Sequence, residues 1–160
     1  MTLDAAKMLR AQGQHEEARK LLVRLAATSP SDHELQYQTA TVHDFLGLES
    51  QAVSYYLKAL EGPLSEASLR GAFLGLGSTY RTLGKYVDSE ATLRAGLMAF
   101  PAANDIKVFL PMVCHNLGRS KEAIESLLLL LAETSHDENI RGYARAIEFY
   151  AQDVERAWPE

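Results

Sequence analysis

The sequence predicts an all-α fold built from repeated pairs of antiparallel helices. Apolar residues recur at helical spacing through nearly the whole chain, and no Asn-Gly or Asp-Gly hairpin turn interrupts them. Four glycines stand before charged, helix-favouring segments at intervals of 34, 37 and 34 residues: Gly13, Gly47, Gly84 and Gly118. A period near 34 residues is typical of a helix-turn-helix solenoid.

Turn residues divide the 160-residue chain into nine expected helices. Glycine suits the turn inside a helix pair, and Pro30, Pro63 and Pro101 follow where a pair should end. Ser31-x-x-Glu34 and Ser135-x-x-Glu138 are capping-box patterns that mark two helix starts. The expected helices cover about 2–12, 14–27, 31–46, 49–61, 65–83, 86–99, 103–117, 119–133 and 137–156.

Met1 falls just inside the first expected helix. We therefore expect that helix to be short and to lack an N-cap, either because the chain was trimmed there or because another chain covers this end.

Small and large residues alternate in register with the glycines. Small residues let two helices approach and large ones fill the gap opposite them, so this register predicts helix packing. Five positions after the glycines lie Ala18, Ala52, Ser89 and Ala123; four further lie Leu22, Tyr56, Leu93 and Leu127; three further lie Leu25, Ala59, Gly96 and Leu130. The apolar run from Leu127 to Ala132 indicates a buried helix.

The third repeat carries the clearest signature. Phe73, Leu76, Gly77 and Tyr80 match the aromatic, Leu-Gly and Tyr positions of a first helix, and the chain resembles the tetratricopeptide repeat (TPR) family. Elsewhere the pattern is weaker. Ala40 occupies the small position of repeat two, Pro111 replaces it in repeat four at an expected cost of roughly 3 kcal/mol, and the tyrosine is replaced by His43 and Cys114.

The resemblance implies a right-handed TPR α-solenoid, similar to the small stand-alone TPR proteins of bacteria. Its four repeats would cover about 2–30, 31–64, 65–101 and 102–135, followed by a capping helix at about 137–156. We expect residues 1–160 to form a single domain of this kind.

Composition excludes several classes of protein. A net charge of −5 argues against nucleic-acid binding, and the one cysteine, Cys114, permits no internal disulfide. The longest apolar run is far shorter than the roughly 20 residues that span a bilayer. We expect a cytoplasmic protein that does not bind membranes.

The stretch GLGSTYRTLGKY at 75–86 has the glycines and lysine of a phosphate loop but not their spacing. A Walker loop needs a glycine where the chain has Thr79, and Ser or Thr where it has Tyr86. The five histidines show no zinc-ligand spacing, and no set of catalytic groups is evident. We therefore expect neither cofactor nor metal nor enzymatic activity.

In the TPR family the first helix of each repeat lines a concave groove. The resemblance places these groove residues: Leu3, Lys7, Arg10 and Ala11 in repeat one; Tyr37, Thr41, Asp44 and Phe45 in repeat two; Leu74, Ser78, Arg81 and Thr82 in repeat three; and Val108, Met112, His115 and Asn116 in repeat four. Such a strip suits a peptide or helix with apolar anchors and an acidic end, which Arg10 and Arg81 would pair.

The family's carboxylate clamp for chaperone tails uses Lys, Asn and Asn, where this chain has Leu3, Lys7 and Thr41. Chaperone tails are therefore disfavoured as ligands.

Two functions are predicted on this basis. The first is a scaffold or adaptor that binds a protein or peptide in the groove. The alternative is a homodimer in which grooves or terminal helices pack together, motivated by Tyr143, Phe149, Tyr150 and Trp158 near the C-terminus.

Overall fold

The computed structural model describes residues 2–157 and 159, and this part of the chain contains ten α-helices and no strand. The prediction of an all-α fold is confirmed. The helices are α1 (Leu3–Ala11), α2 (His15–Thr28), α3 (His33–Phe45), α4 (Glu49–Leu60), α5 (Glu66–Thr82), α6 (Tyr86–Ala99), α7 (Asn104–Asn116), α8 (Ser120–Thr134), α9 (Glu138–Gly142) and α10 (Ala144–Tyr150).

The helices form two compact units, residues 1–92 and residues 93–160. In the first unit each helix from α1 to α5 packs on the next, and α3 also contacts α5. In the second unit α7 and α10 both pack on α8. The predicted single domain and its repeat boundaries stay a prediction.

Four turns are set by glycine. Gly13, Gly47, Gly84 and Gly118 have φ of 77°, 71°, 72° and 80°, and no other kind of residue in the described chain has positive φ. A side chain in this left-handed conformation costs roughly 1–2 kcal/mol, which only glycine avoids. Each glycine ends the first helix of a pair and lets the second helix start within three residues.

The core follows the repeat register in the first unit. Leu22 packs in a cluster with Leu35 and Val42 of α3. Tyr56 packs in a second cluster with Ala72 and Leu76 of α5. In both cases a large residue of a second helix is covered by the first helix of the following pair.

In α8 the residues at the equivalent register positions are not all buried. Leu127, Leu129 and Leu131 are exposed, and of the leucines in this run only Leu130 is buried. The predictions that Leu127 fills a helix gap and that the run forms a buried helix are therefore wrong. The chain turns into the short helices α9 and α10, which leave this side of α8 in solvent.

Two predicted helix starts are displaced. The N-cap of α3 is Asp32, whose carboxylate accepts from Leu35 N at 3.0 Å, and not Ser31. The N-cap of α9 is Asp137, whose carboxylate accepts from Asn139 N, and not Ser135. Aspartate caps helices as well as serine does, so the later residue takes the role.

Helix α1 does have a cap, because the Thr2 hydroxyl accepts from Ala5 N at 3.3 Å. The expectation of an uncapped start was wrong.

One further helix differs from expectation. The last helix, predicted as one element over 137–156, is broken at Tyr143, with φ −108° and ψ 8°, and ends at Tyr150. Helix α7 runs through Pro111, which is buried inside it, without interruption in the assigned helix.

Candidate protein-interaction surface

Three helices of the first unit share a hydrogen-bonded face, the α1–α3–α5 face. Glu34, Gln38 and Thr41 recur on one side of α3, at spacings of four and three residues. The Gln38 amide donates to Glu34 Oε1 at 3.1 Å, and the Ser68 hydroxyl of α5 donates to the same oxygen at 2.9 Å. Side chains therefore link the first helices of successive pairs directly.

Arg10 of α1 extends this network. Its Nη1 donates to Gln38 Oε1 at 3.1 Å and to Thr41 Oγ1 at 3.0 Å. Both acceptors are neutral, so these bonds orient the guanidinium without cancelling its charge. An arginine has five N–H donors, and bidentate pairing with a carboxylate uses two of them.

The phenol of Tyr37 packs against α5 and is affected by the charges of cations on two helices. Its phenol oxygen sits against the backbone of α5 at Gly71, in space that a Cβ at that position would occupy. Burial raises the pKa of Tyr37, and the Glu34 charge raises it further, while the Arg10 and Arg70 charges lower it. Both guanidinium groups thus act on the same phenol from neighbouring helices.

Asp44 turns inward, although it was predicted to face a ligand. Its Oδ2 accepts from the Tyr56 hydroxyl at 3.1 Å. Burial raises the pKa of Asp44, while hydrogen bonds from Tyr56 and Thr79 lower it. The carboxylate is thus engaged with α4 and α5, because a half-buried acid needs donors from its own fold.

The other predicted residues of the first unit lie at several depths. Lys7 is exposed, and Leu74, Ser78 and Arg81 are half-buried on α5. Phe45 is exposed at the end of α3, and its ring lies 4.1 Å from the ring of His15.

The residues predicted for the fourth repeat belong to the second unit. Val108 and Met112 are half-buried, while His115 is exposed and its Nδ1 lies 2.9 Å from Ser120 Oγ. A continuous strip through all four repeats stays a prediction.

The second unit contains a pocket of about 310 Å³ between α6, α7 and α8. Its wall carries the ion pairs Arg94–Glu122, at 3.0 Å, and Lys107–Glu133, at 3.9 Å. Pro111 and Leu130 contribute apolar surface. The cations in this pocket are therefore paired with carboxylates, unlike Arg10.

Sequence reasoning missed Glu34, Gln38 and Arg70. The four family-derived groove positions skip them, although Arg70 stands one helical turn before Leu74. Extending each predicted face by one turn towards the N-terminus would have found Arg70.

Two kinds of feature are absent from the residues that the structure describes. No group of three or more His, Cys, Asp or Glu side chains in this part of the chain could hold a metal ion. None of its helices combines the length and the apolar character that crossing a bilayer requires.

Comparison with known proteins identifies the family. A family model described as a tetratrico peptide repeat matches residues 33–154, and a second tetratricopeptide repeat model matches residues 1–42. The chain belongs to the tetratricopeptide repeat family, which confirms the resemblance seen in the sequence. No curated protein matches it.

The fold is similar to the crystal structure of MamA. The two share 15% sequence identity over 95% of each chain, with a TM-score of 0.70. The family and this likeness support a TPR α-solenoid. TPR domains generally mediate protein–protein interactions and are typically non-enzymatic scaffolds, so the chain is a protein-interaction scaffold in this general sense.

Proposed function

We propose that the α1–α3–α5 face binds a peptide segment or helix of a partner protein, with an acidic group of the partner placed beside Tyr37. The observation that carries this proposal is the set of side chains that interact with Arg10. Its guanidinium is held by two neutral acceptors, and its charge acts on the half-buried phenol of Tyr37. A carboxylate that arrived there would gain charge-assisted hydrogen bonds without first displacing a carboxylate from those two contacts.

The carboxylates of this face have donors of their own. Glu34 accepts from Gln38 and Ser68, and Asp44 accepts from Tyr56. The cations Lys7, Arg10, Arg70 and Arg81 line the first helices in the same unit. The donors of Glu34 and Asp44 are neutral and leave both carboxylates charged. The four cations named here outnumber these two carboxylates, so we expect the face to favour an acidic segment even though the chain as a whole carries −5.

Apolar contacts would come from the same helices. Leu74 is half-buried on α5, and Phe45 exposes most of its ring at the end of α3. Aromatic side chains at such positions are frequent energetic centres of protein interfaces. The expected ligand thus combines apolar anchors with at least one carboxylate.

A matched pair of charge reversals tests the proposal. Arg70→Glu with Arg81→Glu reverses two charges on the α1–α3–α5 face. Lys20→Glu with Arg24→Glu reverses two exposed charges on α2. Partners are captured from a lysate by each variant and by the wild type, then quantified by mass spectrometry.

We expect a set of partners to be lost from the first variant, at least tenfold, and kept by the second. Their capture by the wild type should weaken with added salt, because exposed charges are screened. Equal losses in both variants, or none, would contradict a binding role for this face.

Self-association is the second candidate. Tyr143, Phe149 and Tyr150 are exposed near the C-terminus of the second unit. Trp158, which belongs to the same hypothesis, lies outside the described residues. A cluster of exposed aromatic side chains is a recognised mark of an interface, and light scattering that shows a monomer at every concentration would remove this candidate.

A further inference from the structure

The repeat register reveals an uncovered position on α8. Leu22, Tyr56 and Leu93 occupy equivalent positions in the first three pairs and are 0%, 2% and 0% exposed. Leu127 is their counterpart in the fourth pair and is 40% exposed. Ile124 and Leu131, one turn to either side, are 50% and 41% exposed, so the open surface is a stripe along α8.

The earlier pairs show which element packs over the position that Leu127 occupies. Leu22 is buried by Leu35 and Val42 of α3, and Tyr56 by Ala72 and Leu76 of α5. In the first two pairs, the residue at this position therefore packs under the first helix of the following pair.

The segment after α8 attaches to a different side of it. Lys121 Nζ pairs with Asp153 Oδ1 at 2.8 Å, and Glu125 Oε1 accepts from Val154 N at 3.2 Å. Lys121 and Glu125 lie roughly 120° and 160° round α8 from Leu127. The Ile124–Leu127–Leu131 stripe thus keeps its exposure.

The complementary position is uncovered on α1. Val42, Thr79 and Val113 are equivalent and are 0%, 1% and 0% exposed, whereas Met8 at the same register is 62% exposed. Val42 belongs to the cluster that covers Leu22. Met8 is therefore the residue of α1 that would pack on the second helix of a pair, at the position equivalent to Leu22.

We propose that copies of this chain associate head to tail, with α1 of one copy packed over the Ile124–Leu127–Leu131 stripe of the next. Met8 would pack on Leu127 as Val42 packs on Leu22. The contact between copies would therefore repeat the packing that joins successive pairs within the chain. Such a contact joins two different surfaces, so it propagates into an open chain of copies or closes into a ring. The contact uses neither the C-terminal aromatic side chains nor the residues named for the α1–α3–α5 face.

The contact is small, with one helix on one stripe, so we expect assembly to depend on concentration. Methionine is flexible and fits irregular apolar surfaces, which suits a contact between separate molecules.

Charged substitutions on the two surfaces test the inference. Met8→Glu and Leu127→Glu each remove one of the two contacting surfaces, and Val87→Glu places the same charge at another exposed apolar residue. Molar mass is measured by light scattering over a concentration series, with circular dichroism to show that each variant is folded.

We expect the wild type and Val87→Glu to grow beyond a dimer as concentration rises. Met8→Glu and Leu127→Glu should each remain monomeric. Their equimolar mixture should reach the mass of a dimer and no more, because it contains one intact surface of each kind.

Four results would overturn head-to-tail packing. A mixture that stays monomeric would show that the two surfaces do not meet. A wild-type dimer that persists in both single variants would indicate the C-terminal aromatic interface. Association kept by Met8→Glu and lost by Leu127→Glu would indicate a symmetric α8 contact, and a wild type that is monomeric throughout would remove self-association altogether.

Discussion

The Tyr56 side chain shows how single residues tie the repeats of the first unit together. Its hydroxyl donates to Asp44 on α3, and its ring lies against Gly75 on α5, where an added Cβ would overlap the phenol. Burial raises the pKa of Tyr56, so the phenol stays protonated and remains a donor. One glycine thus admits the side chain that connects three helices.

Gly75→Ala separates packing from helix propensity. Propensity alone would stabilise the helix by about 1 kcal/mol, but the new methyl group must displace a buried, hydrogen-bonded ring. We expect a net loss of about 1–3 kcal/mol in the free energy of unfolding, measured by urea denaturation.

Gly142→Ala is the control for this substitution, because a Cβ there meets nothing within 4 Å. It should be neutral or mildly stabilising. Equal effects of the two substitutions on the free energy of unfolding would show that the ring of Tyr56 can be displaced at little cost.

The sequence predicted the packing role of some individual residues and missed that of others. Gly77 was singled out from the family pattern, and it is buried with its carbonyl accepting from Ser89 Oγ at 2.6 Å. The role of Gly75 lay outside that pattern, because it depends on the length of Tyr56 in another helix. Contacts of this kind come from tertiary structure and leave no local signal.

Helix limits depend on local capping, and here the competing caps stand side by side. Ser31 and Asp32 precede α3, and both have the chemistry of an N-cap. The Asp32 carboxylate accepts from Leu35 N at 3.0 Å. An aspartate also interacts favourably with the positive end of the helix dipole.

The capping assignment predicts unequal effects of two neighbouring substitutions. Asp32→Ala should lower the free energy of unfolding by about 0.5–2 kcal/mol, since Leu35 N loses its acceptor. Ser31→Ala should change it by less than about 0.5 kcal/mol. Thermal or urea denaturation of both variants is the measurement, and a larger effect at Ser31 would restore the original capping-box assignment.

Most elements could be predicted from the spacing of glycines and apolar residues, because these two signals reflect backbone turns and helix faces. The break at Tyr143 could not, since apolar residues continue at helical spacing on both sides of it. The exposed side of α8 was also missed, because its leucines resemble those that are buried in earlier repeats.

At the scale of the molecule, the chain is a TPR array whose described residues form two compact units. Membership of the TPR family explains why the first helices lie side by side. The side chains that form the α1–α3–α5 face are specific to this sequence. Arg10 and Thr41 were predicted from family positions, whereas Gln38 and Glu34 complete the network through hydrogen bonds that only the structure shows. Asp44, another predicted groove position, is hydrogen-bonded to Tyr56 of α4.

The central claim is that partners bind across α1, α3 and α5. Hydrogen–deuterium exchange of the full chain, with and without a partner captured by the wild type and lost from the Arg70→Glu/Arg81→Glu variant, tests it most directly. We predict slower exchange in peptides from α1, α3 and α5, with α2 unchanged. Protection confined to α2, α4 or the second unit would contradict the claim.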